Sequence, residues 1–466
     1  MPKKYHVNVQ NTPLDFGYIY KFRIVRGENC INCGKCTKVC IYEAHQRSEE
    51  DPRIMADPNT EVCRNCFRCI QECPRGALEK SLFNEFTRSG GKYWTPDILL
   101  TLWKQSETGS VPVSGAGYRG PFTGAGFDSM WTDMSEIVRP TRDGIHGREY
   151  ISTSVDMGRK LNHLVFDTDN NLKSKLENLV TISVPVVFDM TEYPLTPELK
   201  EAVVRAAKEL DTFMIIPVAE ITENIVSYSD YIIPLLSSAE IENNEEVIKK
   251  ARLVAIDYSK ETPGDFPAIK DMITKLGNIV TIVRVPAGDN VAGIVTKLAG
   301  NGAEVIHLVA DYRGGGIDNS TGTDDRYIKD IIQDIHKELL SNQIRDEVTL
   351  MASGGIALAE HVTKAMLCGA DLTAIDIPLL IALGARIYEE PEKSLILPEG
   401  LNQIILPTIV QRIVNLIGAW HSQILEVMGA MGIRDIRRLR GETGRALFFE
   451  EIDKETFGKI FNRDKQ

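Results

Sequence analysis

From residue 179 onward the chain repeats one kind of segment: a short apolar run rich in Val and Ile, at 179–188, 213–218, 231–236, 252–257, 278–285, 304–310, 347–353 and 370–377. Strands buried on both faces read as continuous apolar runs, whereas half-exposed strands alternate apolar and polar residues. Segments of helical periodicity lie between several of the runs, as at 197–210, 290–299, 324–340 and 357–368. Eight strand–helix repeats in roughly two hundred residues are what a closed (β/α)8 TIM barrel requires, and a doubly wound open α/β sheet is the alternative.

Upstream, the stretch from Cys30 to Pro74 carries the spacing C-x2-C-x2-C-x3-C twice and uses eight of the nine cysteines. Thiolates ligate metal. Three of them spaced by two residues wrap a loop around an iron–sulfur cubane, while the fourth reaches a neighbouring cluster. Structural zinc would take two well-separated C-x2-C pairs, and disulfides would need an oxidising compartment. The pattern resembles the bacterial two-cluster ferredoxins. On that resemblance Cys30, Cys33 and Cys36 hold one [4Fe-4S] cluster with Cys73, and Cys63, Cys66 and Cys69 hold the other with Cys40. Pro74 follows the second run as in those proteins, but Ile41 stands where the first run usually has proline, which changes a turn and not a ligand.

A chain of 466 residues is long enough for such a module and a barrel with its own core. The organisation expected is a ferredoxin-like domain over 1–88, a Gly- and Arg-rich connecting segment over 89–178, the barrel over 179–400, and a helical C-terminal extension over 401–466. A strand at 18–25 and a short amphipathic helix at 97–105 fit this plan. The formal charge, 53 minus 65 or -12, lacks the basic footprint that nucleic acid or an anionic membrane surface would need. The longest apolar run, near 377–385, is too short to span a bilayer, and no charged, apolar leader opens the chain. A cytoplasmic protein without membrane insertion is expected, in a compartment reducing enough to keep iron–sulfur clusters intact.

Barrel enzymes place their sites at the C-terminal ends of the strands. Arg284 ends the fifth run; Asp311, Arg313, Gly314, Gly315 and Gly316 follow the sixth; Gly354 and Gly355 follow the seventh; Asp376 follows the eighth. The Gly354–Gly355 pair suits either a phosphate at a helix N-terminus or a tight turn at positive φ. The triple glycine, with 318–321 beside it, suits close approach of a substrate or a flexible loop. His307, inside the sixth run, reads as a core histidine, and Cys368 as a small buried hydrophobe. Between 110 and 160, five glycines from Gly115 to Gly126, with Arg119, Arg139, Arg142, His146, Arg148 and Arg159 in the same region, suit a polar segment folded over an anion or a flavin, or a long ordered connection.

The barrel also resembles the flavin-binding domain of glutamate synthases. The likeness rests on VTIVRV leading into a glycine-rich loop, RDEVTLMASGGI, CGAD before PLLIALGA, and MGAMGIRDIRRLRG in the tail. The whole chain is similar to the short, archaeal-type members of that family that lack an amidotransferase domain. The resemblance implies FMN in the barrel, electrons arriving through two [4Fe-4S] clusters from a redox partner such as a ferredoxin or flavoprotein subunit, and reduction of 2-oxoglutarate with ammonia to glutamate. It gives Arg284, Arg313 and Asp311 catalytic places, and Gly314–Gly316 and Gly354–Gly355 cofactor-binding ones. The chain departs from the family at these same places. Arg284 replaces a lysine, and Ala357 replaces the arginine of the Gly-Gly-x-Arg phosphate turn. Asp376-Ile377 replaces Gly-Thr, and Asp189-Met190-Thr191-Glu192 replaces a Ser- and Gly-rich turn. The Arg139–Arg159 stretch is a source of replacement cations. On these departures, the other reading is an electron-transfer subunit of a larger redox complex, with the flavin site altered or lost.

Overall fold

The computed structural model describes residues 5–12, 20–60, 62–111, 124–133, 151–174, 178–260, 265–288, 290–317, 324–388, 394–396, 406–458 and 460. It divides into two compact units, one of 13–101 with 384–398 and one of 1–12, 102–383 and 399–466.

The larger unit is built on the eight runs read from the sequence. Strands β1 (Val186–Asp189), β2 (Met214–Pro217), β3 (Ile232–Leu236), β4 (Leu253–Asp257), β5 (Val280–Pro286), β6 (Val305–Val309), β7 (Thr349–Ser353) and β8 (Leu372–Ile375) pair in parallel in chain order. β8 returns to β1 through Thr373 opposite Val186, which closes the barrel. β1, β6, β7 and β8 are buried along their whole length, which is why they carry no polar alternation. The first run is two elements: Val180–Ile182 leaves the barrel to pair antiparallel with Val155–Met157, and Ser183 to Pro185 make the break before β1.

The helices follow their local signals. Thr196 caps Pro197–Glu209 by accepting the Leu199 N–H, with proline in the first turn where no N–H is needed. The helix expected over 324–340 begins later, at Ile328. Asp324–Tyr327 is instead a strand antiparallel to Gly315–Gly316. The tail expected as two or three helices is dominated by one of 26 residues, Leu406–Met431, followed by short turns. Its buried Asn415 reads the backbone of Gln10 in both directions, accepting from N (3.0 Å) and donating to O (2.6 Å), so residues 5–12 lie on this helix in the barrel unit. Cys368 is fully buried beside Met130. No described helix is long and apolar enough to cross a membrane.

In the smaller unit, strands Phe22–Arg26 and Leu78–Leu82 pair antiparallel across the ends of the cysteine stretch. The helix expected over 97–105 runs Pro96–Thr108 and spans the division between the units.

Candidate functional site

The two cysteine runs fold as a repeat. Asn32 and Asn65, one residue before the second cysteine of each run, have φ of 54° and 54°; Gly34 and Phe67 have 72° and 59°; Glu43 and Gly76 have 57° and 58°. These left-handed residues curl each loop, and its three closely spaced cysteines line one cavity. Gly76 and Glu43 occupy the same bend, so the turn persists in the first run although Ile41 replaces proline; the isoleucine is 75% exposed. The fourth cysteine of each run is turned the other way. Cys73 lines the cavity of Cys30, Cys33 and Cys36, and Cys40 lines that of Cys63, Cys66 and Cys69. Equivalent N–H groups point at the crossing sulfurs: Ala77 donates to Cys73 Sγ (3.2 Å) and Ala44 to Cys40 Sγ (3.4 Å). Four converging thiols per cavity, with backbone donors on the sulfurs, fit a [4Fe-4S] cluster in each. Cys33 and Cys66 are the exposed members of the two sets. Burial pushes the Cys69 thiol up to about 11, so its deprotonation depends on bound metal.

At the barrel mouth, Arg284 on β5 reaches across to Asp189 at the end of β1. Its Nη1 lies 3.0 Å from Asp189 Oδ2 and 2.6 Å from Thr191 Oγ1, and Nη2 lies 3.6 Å from Glu192. Asp189 and Arg284 are 6% and 8% exposed. Burial, the largest single influence, opposes ionisation of Asp189, but the Arg284 charge, His307 and the Thr191 hydrogen bonds together hold the carboxyl below its usual range. His307, fully buried on β6, meets Ser353 Oγ at 2.9 Å; burial and then Arg284 push it down to about 3, so it is neutral. Above them is a cavity lined by Thr191, Glu192, Leu236, Asp257 and Arg284. Among its described residues Arg284 is the one cation, against Glu192, Glu240 and Asp257.

The glycine-rich loops after β6 and β7 pack on each other. Gly354, at φ 97°, has Asp311 O 2.6 Å and Ala310 O 2.7 Å from where a Cβ would sit, and a Cβ on Gly314 would meet Gly354 O at 3.3 Å. Asp311 Oδ1 accepts the N–H groups of Arg313 (2.8 Å) and Gly315 (2.7 Å), and so shapes its own loop. Arg313 stacks over Tyr312. Gly354→Ala is therefore expected to cost about 3 kcal/mol, from left-handed strain plus backbone overlap, read as a lower denaturation midpoint with unchanged iron content.

The positions that the resemblance assigns to the flavin phosphate are filled by the protein. Residues 351–359 are buried throughout. The Ala357 N–H, beyond the Gly-Gly pair, donates to His361 Nδ1 (3.1 Å). That leaves Nε2 protonated toward Asp128 (3.1 Å), so the Asp128–Glu360–His361 cluster lacks the bare nitrogen a metal would need. After β8, Asp376 Oδ1 accepts the Ile377 N–H at 2.6 Å, placing a carboxylate where a phosphate would use the same helix end. Arg159, from the arginine-rich stretch, bonds the carbonyls of Ala299 and Ala303, and also Glu347, all next to the N-terminal ends of β6 and β7. That is the face opposite the mouth, so it supplies no replacement cation there. Arg119, Arg139, Arg142, His146, Arg148 and 318–321 lie outside the described residues. Among the described residues, protein groups thus accept the two N–H donors at the turns that the resemblance gives to a flavin phosphate.

Burial pushes Asp376 up to about 6, with Asp189 and Glu192 adding to the rise and the Ile377 N–H opposing it; Tyr193 Oη donates to it at 3.3 Å. Its folded pKa thus lies above the unfolded value of about 3.9, so the fold prefers the protonated acid and loses stability as pH rises from about 4 to 6. Asp376→Asn, neutral throughout, is expected to be about 1–2 kcal/mol more stable than wild type at pH 7, allowing for partial exposure, and no more stable near pH 4. Thermal unfolding at the two pH values checks this.

Eight cysteines in two sets of four, each set lining one cavity, and a closed parallel barrel define an iron–sulfur protein. The conserved region in glutamate synthase matches residues 265–393, and a 4Fe-4S dicluster domain matches 29–78. An archaeal-type glutamate synthase [NADPH] of Dehalococcoides mccartyi is 24% identical across 90% of this chain and 94% of its own. An archaeal glutamate synthase [NADPH] of Archaeoglobus fulgidus is 25% identical across 93% and 95%. Among solved structures, the recombinant flavin-binding domain of baker's yeast flavocytochrome b2 covers 73% of this chain and 82% of its own at 14% identity, with a TM-score of 0.45. Over nine tenths of its length the chain is similar to archaeal-type glutamate synthases, and it is an oxidoreductase that carries their conserved region and a 4Fe-4S dicluster domain.

Proposed function

We propose that the protein is an electron-carrying member of the family. Its two clusters exchange single electrons with a redox partner, a ferredoxin or a flavoprotein subunit of a larger complex, and its barrel does not hold FMN by the family phosphate site. The observation that carries this reading is a pair of N–H groups, that of Ala357 in the turn before the helix Ala359–Cys368 and that of Ile377 at the start of Ile377–Ala382, already satisfied by His361 and Asp376. The acidic lining of the mouth supports it, because a phosphate dianion or a dicarboxylate such as 2-oxoglutarate would face carboxylates with a single, already paired, guanidinium. The exposed Cys33 and Cys66 support exchange with a partner protein, since each cluster cavity has one ligand at the surface.

A flavin enzyme making glutamate is the second reading, favoured by the cavity itself and by relatives named as glutamate synthases. Cofactor analysis of anaerobically purified protein separates the two. About eight iron per chain with no stoichiometric flavin is expected. Stoichiometric FMN, with glutamate formed from 2-oxoglutarate and ammonia, would establish the second.

A further inference from the structure

The cluster module repeats its backbone but not its charges. Superposing the runs by sequence, Arg26 corresponds to Asn59 and His45 to Leu78. Arg26 ends the strand Phe22–Arg26 and lines the cavity of Cys30, Cys33, Cys36 and Cys73. Its Nη1 lies 3.4 Å from Cys30 Sγ, while Nη2 donates to Ala56 O at 2.7 Å. Nε of the same guanidinium is buried and has no hydrogen-bond partner. The head group is thus held by Ala56 against the sulfur, with a further N–H free to serve the cluster.

The other cavity receives His45, which is 1% exposed and has Nδ1 without a partner. Burial and then the Arg26 charge hold its pKa below the ordinary value, so the ring is neutral. The backbone donors of the two cavities match, through Ala77 and Ala44. Lys35 and Arg75 line the first cavity and Arg64 and Arg68 the second, two cations at each, so Arg26 is the additional permanent cation of the first and the one in N–H···S contact. Positive charge and hydrogen bonds at the sulfurs favour the reduced, more negative cluster.

We propose that Arg26 sets the order of the two potentials, making the cluster held by Cys30, Cys33, Cys36 and Cys73 the easier of the two to reduce. Arg26 acts through the ligand sulfur and is a positioning and tuning residue. The inference uses the cluster ligands alone and stands whether or not the barrel binds FMN.

The test is a redox titration of the anaerobic holoprotein followed by EPR. Wild type shows two midpoint potentials. In Arg26→Met the higher one falls while the other stays, with iron near eight per chain, and Arg26→Lys keeps the order of wild type. Two potentials unchanged in Arg26→Met, or both lowered equally, would overturn the proposal. Should Arg26→Met lose iron, wild type grown with [15N]arginine and reduced by one electron per chain decides by pulsed EPR. Arg75 lines the same cavity, so the comparison is with Arg26→Lys labelled alike: a 15N coupling on this first signal that Arg26→Lys lacks supports the proposal, and one that Arg26→Lys keeps, one that appears only on full reduction, or none, overturns it.

Discussion

Replacing Cys40 and Cys66 together by alanine is expected to leave one intact cluster, about four iron per chain, whereas replacing Cys40 and Cys33 together damages both. The contrast follows from the crossing of the fourth ligand. Cys40 lines the cavity of Cys63, Cys66 and Cys69, so the first pair falls on one cluster. Cys33 lines the other cavity with Cys73, so the second pair is divided between clusters. Were each run to fill its own cluster, the outcomes would be reversed. Alanine is the replacement of choice because a serine oxygen can still ligate iron. Iron analysis with EPR spin counting reads the result.

The next largest effect is expected at the barrel mouth. Asp189→Ala leaves Arg284 buried without its carboxylate, and removing one partner of a buried pair costs about 3–5 kcal/mol. Asp189→Ala with Arg284→Met removes the stranded charge as well, and should recover much of the loss. The same pair makes the fold acid-sensitive. Asp189 is depressed below its unfolded value, so its contribution is complete above about pH 4 and is lost as pH falls through the lower folded pKa. Wild type should therefore lose stability on acidification in that range, and the double variant less. Chemical denaturation from pH 3 to 7 measures both.

How far the sequence could be read depended on the kind of signal. The eight strands were legible because burial on both faces removes polar alternation, and every run yielded its strand. The two cysteine runs were legible from their spacing and the crossing of the fourth cysteine from the resemblance, and the cysteines line the two cavities in that grouping. Arg284 stood out as a departure from the family, and so did Asp189, but they were separated by 95 residues and their pairing was not read. A carboxylate in place of a Ser- and Gly-rich turn at the end of β1, and an arginine in place of lysine on β5, were the available signal: the two strands face each other across the barrel. Gly314 and Gly354 show the opposite difficulty. Glycine density marked them as sites of close approach, yet composition does not say what approaches, and here it is the backbone of the neighbouring loop. The role of Asp376 was half visible, since a carboxylate at a helix start is an ordinary cap as well as an obstacle to phosphate.

The central claim is that side chains of the protein occupy the helix ends where a flavin phosphate would sit. The most direct measurement is an equilibrium titration of FMN with the anaerobic, cluster-loaded protein, followed by flavin fluorescence. The account predicts no saturable quenching at micromolar FMN. Saturation at one FMN per chain, weakened by removing the phosphate from the ligand, would contradict it.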